Sequence, residues 1–239
     1  MIPTRDWQES LRNMTPSVDI QKAAEDLRFL LTRRYPRKAA LELVGNRYSL
    51  TADQRHLLHR GVFADVDARL RCSKRISIRN LRQKKLAIDG YNVLITVEAA
   101  LSGRPLVLAD DGFVRDISGL SGNFRKSRKT GEALQGLFDA LKKWRPQHTL
   151  FLFDAPISKS GRLAQEVRER LKEAGLAGDA MAVPVPERIL LGFQGVVATS
   201  DTAIIDRSQE VLDLAGYLVK RIKPFSLVRL GKRNPLGGA

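Results

Sequence analysis

The chain reads as an α/β protein with a mostly parallel sheet covered on both faces, preceded by a small all-α domain. Three observations predict this. From Leu86 onward, short apolar runs alternate with amphipathic stretches of helical period, as expected of strand, helix, strand units joined by right-handed crossovers. Before residue 70 the apolar residues recur only at helical spacing, with no strand alternation. Between the two regions, Arg71, Lys74, Arg75, Arg79, Arg82, Lys84 and Lys85 follow one another without an intervening acid. The predicted organisation is a helical basic domain at 1–70, a cationic linker at 71–85 and an α/β domain at 86–239.

From Trp7 to about Leu70 the pattern is helical, with Leu27, Leu30 and Leu31 on one face. Tyr35-Pro36 stops one helix, and Gly45-Asn46 marks a turn. Thr51 and Gln54 form a capping box for a helix that ends near Gly61. The surface of this region is basic, notably at Arg33, Arg34, Arg37 and Lys38. After the linker, Leu86-Ala87-Ile88 is a buried strand. Asp110-Asp111-Gly112, between Val107-Leu108 and Phe113-Val114, reads as a hairpin turn. Thr130 precedes a helix with Leu134, Leu137, Phe138 and Leu141 on one face, and Pro146 follows its end. Thr149 to Phe153 is the next strand. Ser158 or Ser160 caps a helix carrying Leu163, Val167 and Leu171, which ends at Gly175. Ala180 to Val183 and Gly195 to Thr199 are short strands. A last helix carries Val211, Leu214, Leu218 and Ile222, and Ser226 to Leu230 is a closing strand.

Forty-one Lys and Arg against 26 Asp and Glu give a net charge of +15, which points to a polyanionic partner, nucleic acid by default and an anionic membrane surface as the alternative. No apolar run approaches the ~20 residues a bilayer span needs, and no N-terminal signal pattern is visible, so the expectation is a cytoplasmic protein without membrane contact. The single cysteine, Cys72, permits no internal disulfide and no cysteine-based metal site. His56 and His59 are helical neighbours and His148 stands alone, too few for zinc. Oligomeric state is not legible.

Four apolar runs end abruptly in a carboxylate: Leu86-Ala87-Ile88 before Asp89, Phe151-Leu152-Phe153 before Asp154, Val196 to Ser200 before Asp201, and Val107-Leu108-Ala109 before Asp110. In a parallel sheet ligands sit outside the carboxyl ends of the strands, which places Asp89, Asp154 and Asp201 at one edge. Clustered carboxylates repel one another, and a hard divalent cation, Mg2+ or Mn2+, is the counter-charge that oxygen ligands favour. Such a metal can activate a hydroxide and stabilise in-line displacement at phosphorus. Asp206 is expected at the same edge, with Asn92 and Ser200 positioning the ligands. Taken singly, each aspartate has a local explanation: Asp89-Gly90 is a turn pair, Asp154 starts a turn before Pro156, and Asp201 is a helix cap. Their shared strand-end position is what favours a site.

Asp89-Gly90-Tyr91-Asn92, Phe153-Asp154, and Thr199-Ser200-Asp201 with Asp206 beyond, resemble the acidic positions of the PIN-like nuclease superfamily, especially its NYN branch, over about Leu86 to Ile222. The resemblance implies a three-layer α/β/α, Rossmann-like fold, metal-dependent ribonuclease activity, and a metal-binding role for Asp89, Asp154, Asp201 and Asp206. Many PIN-like enzymes add an acid on a helix between the first two strand-end aspartates, and Glu98, Asp116 and Glu132 all remain open for that place. The N-terminal half, including Leu27 to Leu31, Tyr35-Pro36, Ala40 to Tyr48 and Arg60 to Phe63, is similar to an uncharacterised group. That group is catalogued as domain of unknown function four hundred and thirty-four, and pairs a small helical domain with a PIN-like one. It implies no activity.

Gly119 to Lys129 is a basic loop without the Gly-Lys-Ser/Thr ending of a nucleotide P-loop. Arg125, Lys126, Arg128 and Lys129, with Lys159, are the expected contacts to substrate phosphates. The cationic linker has no interleaved aromatics, so backbone contact is favoured there over base stacking. The expected function is metal-dependent hydrolysis of RNA phosphodiester bonds. The alternative is a non-catalytic, ribosome- or tRNA-associated RNA-binding adaptor with a degenerate site. A phospho-aspartate phosphatase is disfavoured, since Asp89 is followed by Gly-Tyr-Asn rather than by a second aspartate two places on.

Overall fold

The computed structural model describes residues 18–117 and 124–230. It divides into two compact units that do not follow the chain in simple order. One unit holds residues 1–72, 103–118 and 224–239, and the other 73–102 and 119–223. The expected helical character of Trp7 to Ser17 lies outside the described residues.

The first unit contains helices α1 (Val18–Thr32), α2 (Arg37–Arg47), α3 (Ala52–Gly61) and most of α4 (Asp65–Ser73). Leu27 and Leu31 of α1 are buried against Val44, Leu57 and Leu58. The capping box at Thr51 forms as expected, the threonine hydroxyl accepting from the Gln54 N–H while Gln54 accepts from the Thr51 N–H. Gly45 is not at a turn but inside α2. A Cβ there would lie 1.9 Å from the Arg55 guanidinium, so the glycine makes room for that side chain.

Strands β2 (Leu106–Leu108) and β3 (Val114–Asp116) form the expected hairpin, antiparallel around Asp110 to Gly112. The C-terminal strand β8 (Leu227–Arg229) pairs parallel with β2, in a three-stranded sheet ordered β3-β2-β8. It therefore closes the sheet of the helical unit, not that of the α/β unit. Val107, Ile117, Val228 and Leu230 join the helical core, so burial of this apolar face accounts for the placement.

The second unit is α/β. Its five-stranded parallel sheet comprises β1 (Lys85–Asp89), β4 (His148–Asp154), β5 (Gly178–Val183), β6 (Val196–Ala198) and β7 (Glu210–Leu212), in the order β5-β4-β1-β6-β7. Alternate residues on each strand face opposite layers. Leu86, Ile88, Phe151, Phe153, Val196 and Ala198 pack into the larger core with α5 (Gly90–Leu101), α6 (Arg128–Trp144), α7 (Ser160–Glu173) and α10 (Leu214–Val219). Ala87, Leu152 and Val197 pack with α8 (Pro186–Leu191) and α9 (Thr202–Arg207). The result is a three-layer α/β/α fold. Among the described residues no helix is long and apolar enough to cross a membrane.

Three local expectations are corrected. The single last helix is interrupted, because Val211 lies in β7 and Asp213 caps a new helix by accepting from the Gly216 N–H. Neither Ser158 nor Ser160 caps α7; Lys159 takes the cap position with φ 65°, and the Ser160 hydroxyl donates to the Ala155 carbonyl. The segment 71–85, expected as a linker, is folded into the two units. Arg71 is buried, Ile78 and Leu81 sit in the α/β core on a 3-10 turn capped by Ser77, and Lys84 pairs with Glu210.

Candidate functional site

The sheet order changes direction beside β1: the chain proceeds outward through β4 and β5, then returns to the other side of β1 as β6 and β7. A crevice opens at the carboxyl ends of strands where such a reversal occurs. Asp89 ends β1, Asp154 ends β4, and Asp201 follows β6 within three residues of Ala198. The apolar runs that made these strands legible thus deliver the three aspartates to neighbouring strand ends.

Helix α5 begins directly after Asp89. Its first residue must be glycine, because a Cβ on Gly90 would lie 2.3 Å from the Phe153 ring and 2.8 Å from the Leu152 carbonyl oxygen. Tyr91 then packs edge-on against Phe153, with ring centroids 5.3 Å apart. Asn92 faces β6, and its Oδ1 accepts from the Ser200 backbone N–H at 2.8 Å and from the Ser200 hydroxyl at 2.9 Å. This bridge fixes the loop after β6 to the first turn of α5.

Thr199 completes the link. Its hydroxyl donates to Asp89 Oδ2 at 2.8 Å and accepts from the Asp201 N–H at 3.1 Å. Asp201 in turn caps α9, Oδ1 accepting from the N–H groups of Ala203 and Ile204. The cap reading of Asp201 and its place beside Asp89 are therefore both realised.

Electrostatically this is an uncompensated carboxylate group. Burial raises the Asp89 carboxyl from its ordinary 3.8 to about 7; the charges of Asp154 and Asp201 add to the rise, while the Thr199 hydroxyl and the Asn92 backbone amide draw it down. Asp154 is also raised, first by burial and then by Glu187 on α8. Tyr91 is pushed up to about 12 by burial and by Asp154. No basic side chain lies within ion-pair distance of Asp89 among the described residues.

The remaining sequence candidates are placed as follows. Asp206 is exposed in the last turn of α9, with its backbone carbonyl accepting from Lys74 at 2.6 Å, and the charges acting on Asp89 are those of Asp154 and Asp201. Glu98 lies eight residues along α5, ~12 Å from the start of that helix at 1.5 Å per residue. Asp116 belongs to the helical unit, where it pairs with Arg60, and Glu132 pairs with Arg128 on the exposed surface of α6. Lys126 is engaged by Glu166, Arg128 by Glu132, and Lys129 donates to the Ser102 hydroxyl, so among the described residues Arg125 and Lys159 are the two of the five expected phosphate contacts with no such bond. Residues 119–123 of the basic loop lie outside the described residues.

Two participants escape sequence reasoning about site residues. Thr199 had a signal, a hydroxyl two places before a helix-capping aspartate. Glu187 had none, since only the pairing of β4 with β5 brings α8 beside Asp154. Among the described residues no three His, Cys, Asp or Glu side chains already converge as a metal-holding cluster.

Residues 78–217 match the family model described as a domain of unknown function, DUF5616, and residues 19–74 match a protein family of unknown function, DUF434. The chain is 33% identical over 208 residues to an uncharacterized protein of Methanocaldococcus jannaschii, covering 86% of this chain and 99% of that protein. No solved structure matches. The three-layer α/β unit with its strand-end aspartates, preceded by a DUF434 region, thus belongs to the DUF5616 family.

Proposed function

We propose that the α/β unit is a metal-dependent nuclease that hydrolyses RNA phosphodiester bonds at Asp89, Asp154 and Asp201. The observation that carries this reading is the half-buried Asp89 carboxyl at the switch point of the sheet, with the charges of Asp154 and Asp201 acting on it and, among the described residues, no basic partner. Hard oxygen donors around an uncompensated negative charge are the donor set of Mg2+ or Mn2+. Asp89, Asp154 and Asp201 would hold the ion, which when bound supplies an activated water and stabilises charge developing at phosphorus. Thr199 fixes one oxygen of Asp89, and Asn92 with Ser200 fixes the loop that carries Asp201. Exposed Arg125 and Lys159 are suited to hold the phosphate backbone. The likeness of Asp89-Gly90-Tyr91-Asn92 and the later aspartates to PIN-like nucleases supports the same reading.

Purified protein is expected to cleave labelled single-stranded or structured RNA with Mn2+ or Mg2+, and Asp89→Asn to abolish cleavage while leaving the fold intact. Cleavage that survives the substitution sinks the assignment. A second reading, a non-catalytic RNA-binding adaptor, is favoured by one observation: the carboxylates do not converge as a three-ligand cluster. Salt-sensitive RNA binding with no heat of Mn2+ binding in calorimetry supports the adaptor, whereas Mn2+ binding lost in Asp89→Asn supports the nuclease.

A further inference from the structure

Tyr91 stands in the first turn of α5, two residues after Asp89, and is only 3% exposed. Its ring packs against Phe124, with centroids 4.8 Å apart, and edge-on against Phe153 at 5.3 Å. Phe153 is the residue before Asp154 at the end of β4, and Phe124 is the residue before Arg125 of the basic loop. The ring is thereby fixed at the carboxyl edge of the sheet, flanked by the segments that carry an acid and an exposed cation.

Its hydroxyl is treated unlike those of other tyrosines. A buried phenol ordinarily finds a hydrogen-bond partner within the protein. The Tyr48 hydroxyl donates to Asp26 at 2.9 Å, and the Tyr217 hydroxyl accepts from the Trp144 indole N–H at 2.8 Å. The Tyr91 hydroxyl has no hydrogen-bond partner among the described residues, although the Asp154 charge reaches it. Packing does not call for it, because the two ring contacts are ones that a phenylalanine would make. A hydroxyl on so firmly held a ring, left without a partner beside the strand-end aspartates, points to a ligand.

We propose that Tyr91 distinguishes ribose from deoxyribose in the bound strand, its hydroxyl donating to a 2′-hydroxyl of the substrate. The inference rests on the reading of the crevice as an RNA site, and not on cleavage there. A neutral acceptor is selected by the surroundings: the charges acting at this edge are those of Asp154, Asp201 and Glu187, so a phosphate oxygen placed on Tyr91 would be repelled. A 2′-hydroxyl both donates and accepts, so it takes the Tyr91 proton donor and gives its own to a carboxylate oxygen of Asp154. That carboxylate has lone pairs enough to do this while holding a cation. Deoxyribose can do neither. Arg125, next to Phe124 in the chain, is suited to a phosphate of the same strand.

The test is fluorescence anisotropy of the full chain in EDTA, which stops metal-dependent cleavage, with one RNA oligonucleotide and its deoxy and 2′-fluoro counterparts. Fluorine keeps the RNA sugar conformation but cannot donate. Backbone contacts are common to all three, so the ratio of affinities reads the sugar. Wild type is expected to bind RNA ~10-fold more tightly than either analogue, the effect of about one hydrogen bond. Tyr91→Phe, which keeps the ring on Phe124 and Phe153, should weaken RNA alone and bring the ratio to within ~2-fold of unity. A ratio near unity in the wild type overturns the proposal, and so does a ratio that Tyr91→Phe leaves unchanged. Equal weakening of RNA and DNA also overturns it, marking a phosphate contact instead. The 2′-fluoro arm needs no variant: 2′-fluoro RNA that binds wild type as tightly as RNA refutes the bridge to Asp154. The nuclease reading fails separately. A sugar preference lost in Tyr91→Phe, in a protein that cleaves no RNA with Mn2+, keeps this inference and removes the nuclease, whereas cleavage abolished by Asp89→Asn beside a preference indifferent to Tyr91 does the reverse.

Discussion

Two carboxylates, one in each unit, show how differently the fold treats the same group. Asp111 of the helical unit is fully buried in the β2–β3 turn, where Arg115 grips both its oxygens and Arg71 stands within 4 Å. Asp89 of the α/β unit is half-buried, yet among the described residues its one side-chain donor is the neutral hydroxyl of Thr199 and its charged neighbours are acids. A carboxylate with its own cation is finished as structure. One without it keeps a charge deficit that only a proton or a bound cation can relieve.

The largest effect expected from breaking this contrast is at Asp111. Asp111→Ala removes the carboxylate that grips the Arg115 guanidinium, which is 1% exposed, and should cost about 3–5 kcal/mol in urea or thermal unfolding. A loss under about 1 kcal/mol would mean that the pair is not the counter-charge described here.

Asp89 should behave in the opposite sense. Its folded proton affinity is raised, so between about pH 4 and pH 7 the native state keeps a proton that the unfolded chain has released. Stability is therefore fully present below pH 4, declines as pH rises through about 7, and is flat above. With the strand end partly open to water, the decline attributable to Asp89 should be about 2–4 kcal/mol. Asp89→Asn should remove most of it and be the more stable protein at pH 8. Urea denaturation at pH 5 and pH 8 reads both, and an unchanged pH dependence in Asp89→Asn sinks the account. Mn2+ should restore stability at pH 8 in the wild type but not in the variant, if the nuclease reading holds.

Much of the α/β unit was legible because a parallel strand buried on both faces is apolar throughout: Leu86-Ala87-Ile88 and Phe151-Leu152-Phe153 announce themselves, and so do the aspartates that end them. What escaped depends on long-range pairing. Leu227 to Arg229 reads as a strand, but that its partner is Leu106 to Leu108 follows from which core its apolar face completes. The break after Arg207 is hidden for a related reason, since Val211 fits a helical period and is claimed instead by pairing with Val197. Glu187 is invisible until the register of β4 and β5 is known.

Thr199 is the next lever. Thr199→Val keeps the shape but removes the donor to Asp89 and the acceptor for the Asp201 N–H. A hydrogen bond to a carboxylate contributes about 1.5–3 kcal/mol, so at pH 8 the variant should lose about that much, and less at pH 5 where Asp89 is protonated. The Asp89 carboxyl, followed by carbon-13 NMR, should titrate still higher than about 7. A titration unmoved by the substitution would show that Thr199 does not hold the carboxylate.

The smallest effect separates the two roles of Asp201. As a cap it accepts from the Ala203 and Ile204 N–H groups, and asparagine can accept in its place. Asp201→Ala should thus cost about 0.5–2 kcal/mol and Asp201→Asn a few tenths. The charge is lost in both. Since Asp201 helps hold the Asp89 carboxyl high, both variants should lower its midpoint, and by similar amounts. If Asp201→Ala lowers it while Asp201→Asn does not, the coupling runs through the cap and the loop conformation rather than through charge. Asp89 would then be left with Asp154 as the acid that sets its deficit.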